Sequence, residues 1–205
     1  MSSESAVQSR VFSEDLRWVG EHWLCVLKDR NLEETVRISL YNTYESPAGE
    51  GAVAYLSIRS RSCTPLLGVF TDNRDLSDWI YEAWGGGREG VFQQPLIVYD
   101  AQFARGERSR DNRSWLIENT TIKIEATWQQ FEDPVVSYRG DDPNVYAHRS
   151  LFNVLLFALD AKVQLNGTCV EGSPYLHNRW QSIIGGADRS SCVVALAETF
   201  INRNT

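Results

Sequence analysis

Glu198 is the first residue whose setting suggests chemistry. Cys192, Val194, Leu196 and Phe200 stand at even spacings around it, so a simple strand would place its carboxylate among apolar side chains. A carboxyl group stripped of water holds its proton more tightly and can exchange it near neutral pH. The plain alternative is a strand-end glutamate paired with an arginine, because structural ion pairs also perturb titration. Asn153 raises the same question beside the row Leu151, Leu155, Phe157, Leu159, Ala161, Val163 and Leu165. A buried amide there either anchors backbone or orients a ligand.

Histidines come next. Tyr175, His177, Arg179 and Gln181 alternate with Leu176, Trp180 and Ile184, which reads as a strand with one polar face. If the sheet closes around a lumen, that row faces a ligand; otherwise it faces water. His177 is the acid–base candidate of the row, since an unperturbed imidazole titrates near working pH. His148 stands beside Arg149 where a loop enters a strand, a rim position of the kind that carries function. His22, next to Trp23, reads as structural. Asp160 is a third candidate for proton transfer, although its neighbours Lys162 and Gln164 mark a solvent-facing row.

Other motifs are weaker. The three histidines form no local metal motif, and Cys25, Cys63, Cys169 and Cys192 match no paired spacing, so free thiols are expected. Glu132, Asp133, Asp141 and Asp142 offer oxygen donors, but not at EF-hand spacing. Neither a metal nor a cofactor is expected. Arg105, Arg108, Arg110 and Arg113 could grip a carboxylate or phosphate in bidentate fashion, or simply solvate a hairpin. The Gly85-Gly86-Gly87 segment lacks the Gly-Lys-Ser/Thr ending of a phosphate loop, and no Gly-x-Ser-x-Gly nucleophile signature occurs.

The elements that would position these groups are mainly strands. Seven Trp, eight Tyr and eight Phe against a single Met suit the faces of β-sheets. His22–Leu27, Thr35–Thr43 and Ala52–Ile58 alternate as half-buried strands, the last two joined by a turn around Pro47 and Gly49. Asp72–Trp84 carries Leu76, Trp79, Ile80, Ala83 and Trp84 as one helical stripe, with Asp72 or Asn73 as the cap and Gly85 as the stop. It reads as a short helix across an opening or an edge of the sheet.

Further strands are expected over Pro95–Phe103, Ser114–Trp128 (or a bent pair), Leu151–Leu165, Tyr175–Ile184 and Ser190–Ile201, with Glu132–Asn144 as a loop. Asn166-Gly167 is a two-residue hairpin signal. The apolar run over Leu151–Ala161 would also suit a buried helix. The expected fold is one mostly β domain over residues 1–205, an antiparallel barrel (lipocalin-like in outline) or a sandwich. Residues 1–12 read as a loosely ordered arm.

A formal charge of −7 disfavours duplex nucleic acid as a partner. No apolar run has membrane-spanning length, and the first residues are polar, so a cytoplasmic location is expected. The Asn-x-Ser/Thr sites at Asn112, Asn119 and Asn166 then read as chance matches. A homodimer is compatible with the sequence.

Three functions compete. One is a cofactor-independent isomerase, cyclase or hydro-lyase acting on a hydrophobic or aromatic small molecule. There Glu198, His177 or Asp160 would move the proton, and Asn153, Tyr175, Arg179, Trp128, Trp180 and His148 would hold the substrate. The second is a binding protein that leaves the same ligand unchanged. The third is a sandwich that recognises sugar or protein through exposed aromatics. Outline resemblance to a barrel does not choose among them.

Overall fold

The computed structural model describes residues 16–84, 92, 95–139 and 149–202. The strands are β1 Leu16–Lys28, β2 Glu34–Glu45, β3 Gly51–Ile58, β4 Leu66–Thr71, β5 Val98–Asp100, β6 Gln102–Arg108 and β7 Asn112–Glu118. They continue as β8 Lys123–Phe131, β9 Val135–Arg139, β10 Arg149–Leu165, β11 Thr168–Cys169, β12 Leu176–His177, β13 Arg189–Ser190 and β14 Val193–Asn202. The hydrogen-bonded order is β5-β4-β3-β2-β1-β14-β10-β8-β7-β6. The strands at its two ends, β5 and β6, are consecutive in the chain and separated only by Ala101. The edges of the sheet therefore meet, and it curls into a nearly closed barrel. β4 and β5 pair in parallel; the neighbouring ladders are antiparallel.

Alternation along each strand fills the inside of this barrel. Leu27, Cys25 and Trp23 of β1 meet Val36, Ile38 and Leu40 of β2, Leu56 of β3, Phe70 of β4 and Val194 of β14. The Trp23 ring stands edge-on to Trp115 and Trp128, with centroids 5.9 and 5.1 Å away. Burying each such side chain contributes on the order of 2–3 kcal/mol, so this interior dominates the stability of the sheet. Cys25 and Cys192 lie inside it with their sulfurs 3.7 Å apart, and all four cysteines are free thiols.

The outer face is covered in two places. Helix α1, Arg74–Trp79, continues into a wider π turn over Ile80–Trp84. Asn73 caps it, its side chain accepting from the Leu76 backbone N–H at 3.1 Å. Leu76 and Ile80 pack on Trp18, Tyr41, Val53, Tyr55 and Val69. The helix thus has the expected place in the sequence but lies on the outer wall of β1–β4. The second cover is a connection whose Trp180 and Ile184 pack on Phe157, Leu155 and Val193.

Two expectations are corrected. Tyr175–Ile184 is not one strand: after β12 it becomes a 3-10 turn, Asn178–Trp180, and a single helical turn, α2 Gln181–Ile184. His177 causes the break by capping, its Nδ1 accepting from the Arg179 backbone N–H at 3.2 Å. Nor is Glu132–Asn144 wholly a loop. Pro134 has no N–H and interrupts the ladder after β8, but Val135 resumes it as β9 along β10.

Leu151–Ala161 lies within strand β10, and Ser114–Trp128 falls in the β7–β8 hairpin. Asn166 (φ 51°) and Gly167 (φ 80°) make the two-residue turn that their types demand. Residues 1–12, Gly85 and His148 lie outside the described residues. Among the described residues, no helix is long and apolar enough to cross a membrane.

The barrel makes the thiols unequal. Cys169 is exposed and Cys63 half-buried, whereas the Cys192 hydrogen bond and burial hold the Cys25 thiol well above its ordinary pKa. A thiol reagent followed by intact mass should label Cys169 and Cys63 in the native protein, and Cys25 and Cys192 only in denaturant. Equal labelling of all four without denaturant would contradict the closed interior.

Candidate functional site

Two places on the barrel gather polar side chains that the core does not need. The first centres on Glu198. Along β14, Val194 faces the interior and Ala195 the outer wall, so plain alternation would send Glu198 inward. The ladders show otherwise. Gly20 and His22 of β1 oppose Glu198 and Ala195, and Phe152 and Val154 of β10 oppose Thr199 and Leu196. Between those pairs β14 carries one residue more than either neighbour. Ala197 absorbs it with φ 49°, a left-handed conformation that costs an L-residue about 1–2 kcal/mol. This bulge turns Glu198 to the outer wall, between the patch under α1 and the patch under α2.

There its carboxyl is 5% exposed. Burial pushes its pKa up to about 8, and a hydrogen bond from Asn153 pulls the other way. Glu198 Oε2 lies 3.9 Å from His22 Nδ1. The His22 ring stacks on Tyr41 at 4.3 Å, and its Nε2 is 2.8 Å from Ser39 Oγ. Glu198 Oε2 and Asn153 Oδ1 are buried with no hydrogen-bond partner among the described residues. Opposite Glu198 stands Gly20, where a Cβ would come within 2.3 Å of the Asn42 carbonyl and 2.7 Å of the Trp18 ring. A carboxyl, an amide and an imidazole from three adjacent strands thus meet at one point, able to hold and pass a proton.

The second place is one end of the barrel, where the inner face stops being apolar. Inward positions run Leu27, Cys25, Trp23 and then Glu21 on β1, and Ile38, Leu40 and then Asn42 on β2. Glu21 is 7% exposed and collects three donors. Trp23 Nε1 and Arg105 Nη2 donate to its Oε2 at 2.9 and 2.8 Å, and the Tyr44 hydroxyl donates to its Oε1 at 2.5 Å. Arg105 Nη2 also reaches the Tyr44 oxygen at 3.0 Å, and its guanidinium lies over the Trp115 ring, 4.8 Å from the centroid. Of these groups Tyr44, Arg105 and Trp115 line an open cleft of about 880 Å³, together with Phe103, Asn42 and Asp72.

The other residues singled out in the sequence lie away from Glu198, although Tyr175 and His177 sit together with ring centroids 5.7 Å apart. His177 lies beside Lys28, near the opposite end of β1 from Gly20 and its partner Glu198. Eight residues of strand separate them, about 25 Å. Burial and the Arg179 charge keep its imidazole below the ordinary range. Tyr175 packs under the Lys28 ammonium, 4.4 Å from its ring centroid. Arg179 is exposed in the turn that His177 caps. Trp180 lies edge-on to Phe157 at 5.4 Å on the outer wall, and Trp128 is buried inside, donating to the Leu24 carbonyl at 2.9 Å. Asp160 is half-buried, opposite Gln129 of β8.

Of the predicted set, the structure brings together Glu198 with Asn153, and separately Tyr175 with His177. Sequence reasoning passed over His22 and Glu21. For Glu21 a signal existed, because it continues the row Leu27, Cys25, Trp23. No protein-family model matches the chain. A comparison with curated proteins returns no match either.

Glu198 makes a pH-dependent contribution of definite sign. Well below pH 4.5, the carboxyl is protonated in both folded and unfolded chains. Above that the unfolded chain ionises while the folded one keeps its proton up to about pH 8. Across this window the folded state loses about 1.4 kcal/mol per pH unit, an upper bound for one group. Glu198→Gln should remove that slope, gaining on the parent protein in urea unfolding as pH rises from 5 to 8. Parallel pH profiles for the two proteins would contradict the assignment.

Proposed function

We propose that this chain binds a small molecule at the polar end of its barrel. The reading is carried by one observation: the inward rows of adjacent strands turn from apolar to polar at the same level, beside the cleft. A cleft of about 880 Å³ suits a ligand of metabolite size, since small-molecule sites commonly span ~300–1,000 Å³. An aromatic floor with a few fixed polar groups is the usual composition of such sites. The Glu21–Tyr44–Arg105 network supports this role by holding the guanidinium over the Trp115 ring before any ligand arrives, which lowers the ordering cost of binding.

A second reading is cofactor-independent proton transfer of the isomerase, cyclase or hydro-lyase type, favoured by the Glu198 bulge. Glu198 would hold the proton, Asn153 would orient the carboxyl, and His22, with a quarter of its side chain exposed, would link it to solvent. Strained backbone held in place around a buried carboxyl is a pattern found at functional sites. The two readings involve opposite faces of the same wall and stand or fall separately.

Intrinsic fluorescence tests the first. Small molecules that bind should change the tryptophan emission, and Trp115→Phe should remove most of that change while circular dichroism stays native. Binders whose response survives Trp115→Phe intact would place the ligand elsewhere.

A further inference from the structure

One inward row crosses five strands at the polar end, and only half of it is polar. Asn42 of β2 opposes Glu21 of β1. Glu21 in turn faces the stretch of β14 that holds Leu196, between the pairs Gly20–Glu198 and His22–Ala195. Leu196 opposes Val154 of β10, and Val154 opposes Val136 of β9. One step further out, Phe152 opposes Tyr138. Phe152 and Val154 share the face of Leu156, which packs in the barrel interior, while Leu155 packs outside with Val135.

Burial along β9 and β10 is nevertheless inverted at this end. The outward Ser137 and Asn153 are buried, whereas the inward Val136, Tyr138 and Phe152 are 66%, 57% and 38% exposed. A piece of apolar inner wall is thus left uncovered beside the polar half of the row, the kind of surface that marks a binding groove. Its size excludes a second copy of the chain as the cover. Three strands about 4.8 Å apart, each with two inward residues, present roughly 200 Å², against about 800 Å² per partner in a stable protein–protein interface. Charge disfavours an anionic ligand. Both arginines of the neighbouring cleft are paired, Arg105 with Glu21 and Arg74 with Asp100, while Asp72 and Asp75 form no ion pair with the described residues.

We propose that the ligand of this end is an uncharged amphiphile, a small molecule with an apolar chain or ring and a hydroxyl head. The apolar part lies on Leu196, Val154, Val136 and Phe152. The hydroxyl turns to the polar half of the row at Asn42, whose half-buried amide can both donate and accept. This rests on the reading of the polar end as a binding site, and deepens it by naming the ligand chemistry.

Calorimetry on the full chain with 1-octanol, and with 1-butanol and octanoate as controls for chain and charge, tests the proposal. The long alcohol should bind about tenfold more tightly than either control, or better. The double variant Val136→Ser/Phe152→Ser should weaken 1-octanol about tenfold while circular dichroism stays native. Leu176→Ser, at an exposed apolar residue elsewhere, should leave it unchanged. Equal affinity for the three probes, or 1-octanol bound by the double variant as by the parent, would overturn the ligand class. So would a dimer seen by light scattering in the parent and lost in the double variant, because the wall would then be a subunit contact. In each of those cases, molecules that still give a Trp115-dependent fluorescence change leave the cleft standing. If no molecule gives such a change, the cleft reading falls and the proposal with it.

Discussion

An inner face this apolar must be sealed from water, and the chain seals it at Ala101. That residue is all that separates the first strand of the hydrogen-bonded order from the last. Its N–H donates to the Thr71 carbonyl at 2.9 Å, which ties the junction to β4 as the strand turns away to meet β7. Without this join, β5 and β6 would be two open edges, and the row of tryptophans would face solvent. With it, Trp23, Trp115 and Trp128 can pack edge to face in one interior. Every polar feature of interest is then a departure from a closed apolar wall.

There are two such departures, and they differ in kind. At the cleft the departure is compositional. The inward row of β1 simply reaches a carboxylate, and three donors from β1, β2 and β6 converge on it. At Glu198 the departure is geometric. One extra residue in β14 re-aims a side chain from the inside to the outside. The first needs only sequence alternation. The second needs a positive φ at Ala197, where nothing in the residue type invites it.

That difference also explains what could be read from the chain alone. The strands, the helix near Asn73 and the Asn166-Gly167 turn were legible because period and turn chemistry are local. Asn153 was legible as a buried amide. Glu198 was legible as buried, but on the wrong face, since a bulge shifts parity without changing composition. His22 looked structural because its partner lies across the bulge. Tyr175–Ile184 shows the converse: alternation over a few residues also fits a capped turn, and His177 supplied the cap. β9 was hidden by Pro134 and the acidic residues beside it. Arg105 was visible only as one of four arginines in a hairpin, because its partner Glu21 is 84 residues away.

We propose the polar end of the barrel as the place where this protein meets a small molecule. Mapping amide and indole chemical shifts by nuclear magnetic resonance during titration with a mixed fragment set tests it directly. The largest changes are expected at Thr43, Tyr44, Ala52, Phe103, Arg105 and the Trp115 indole, with the segment from Leu176 to Ile184 still. Changes gathered around Leu176–Ile184, with the cleft silent, would contradict it.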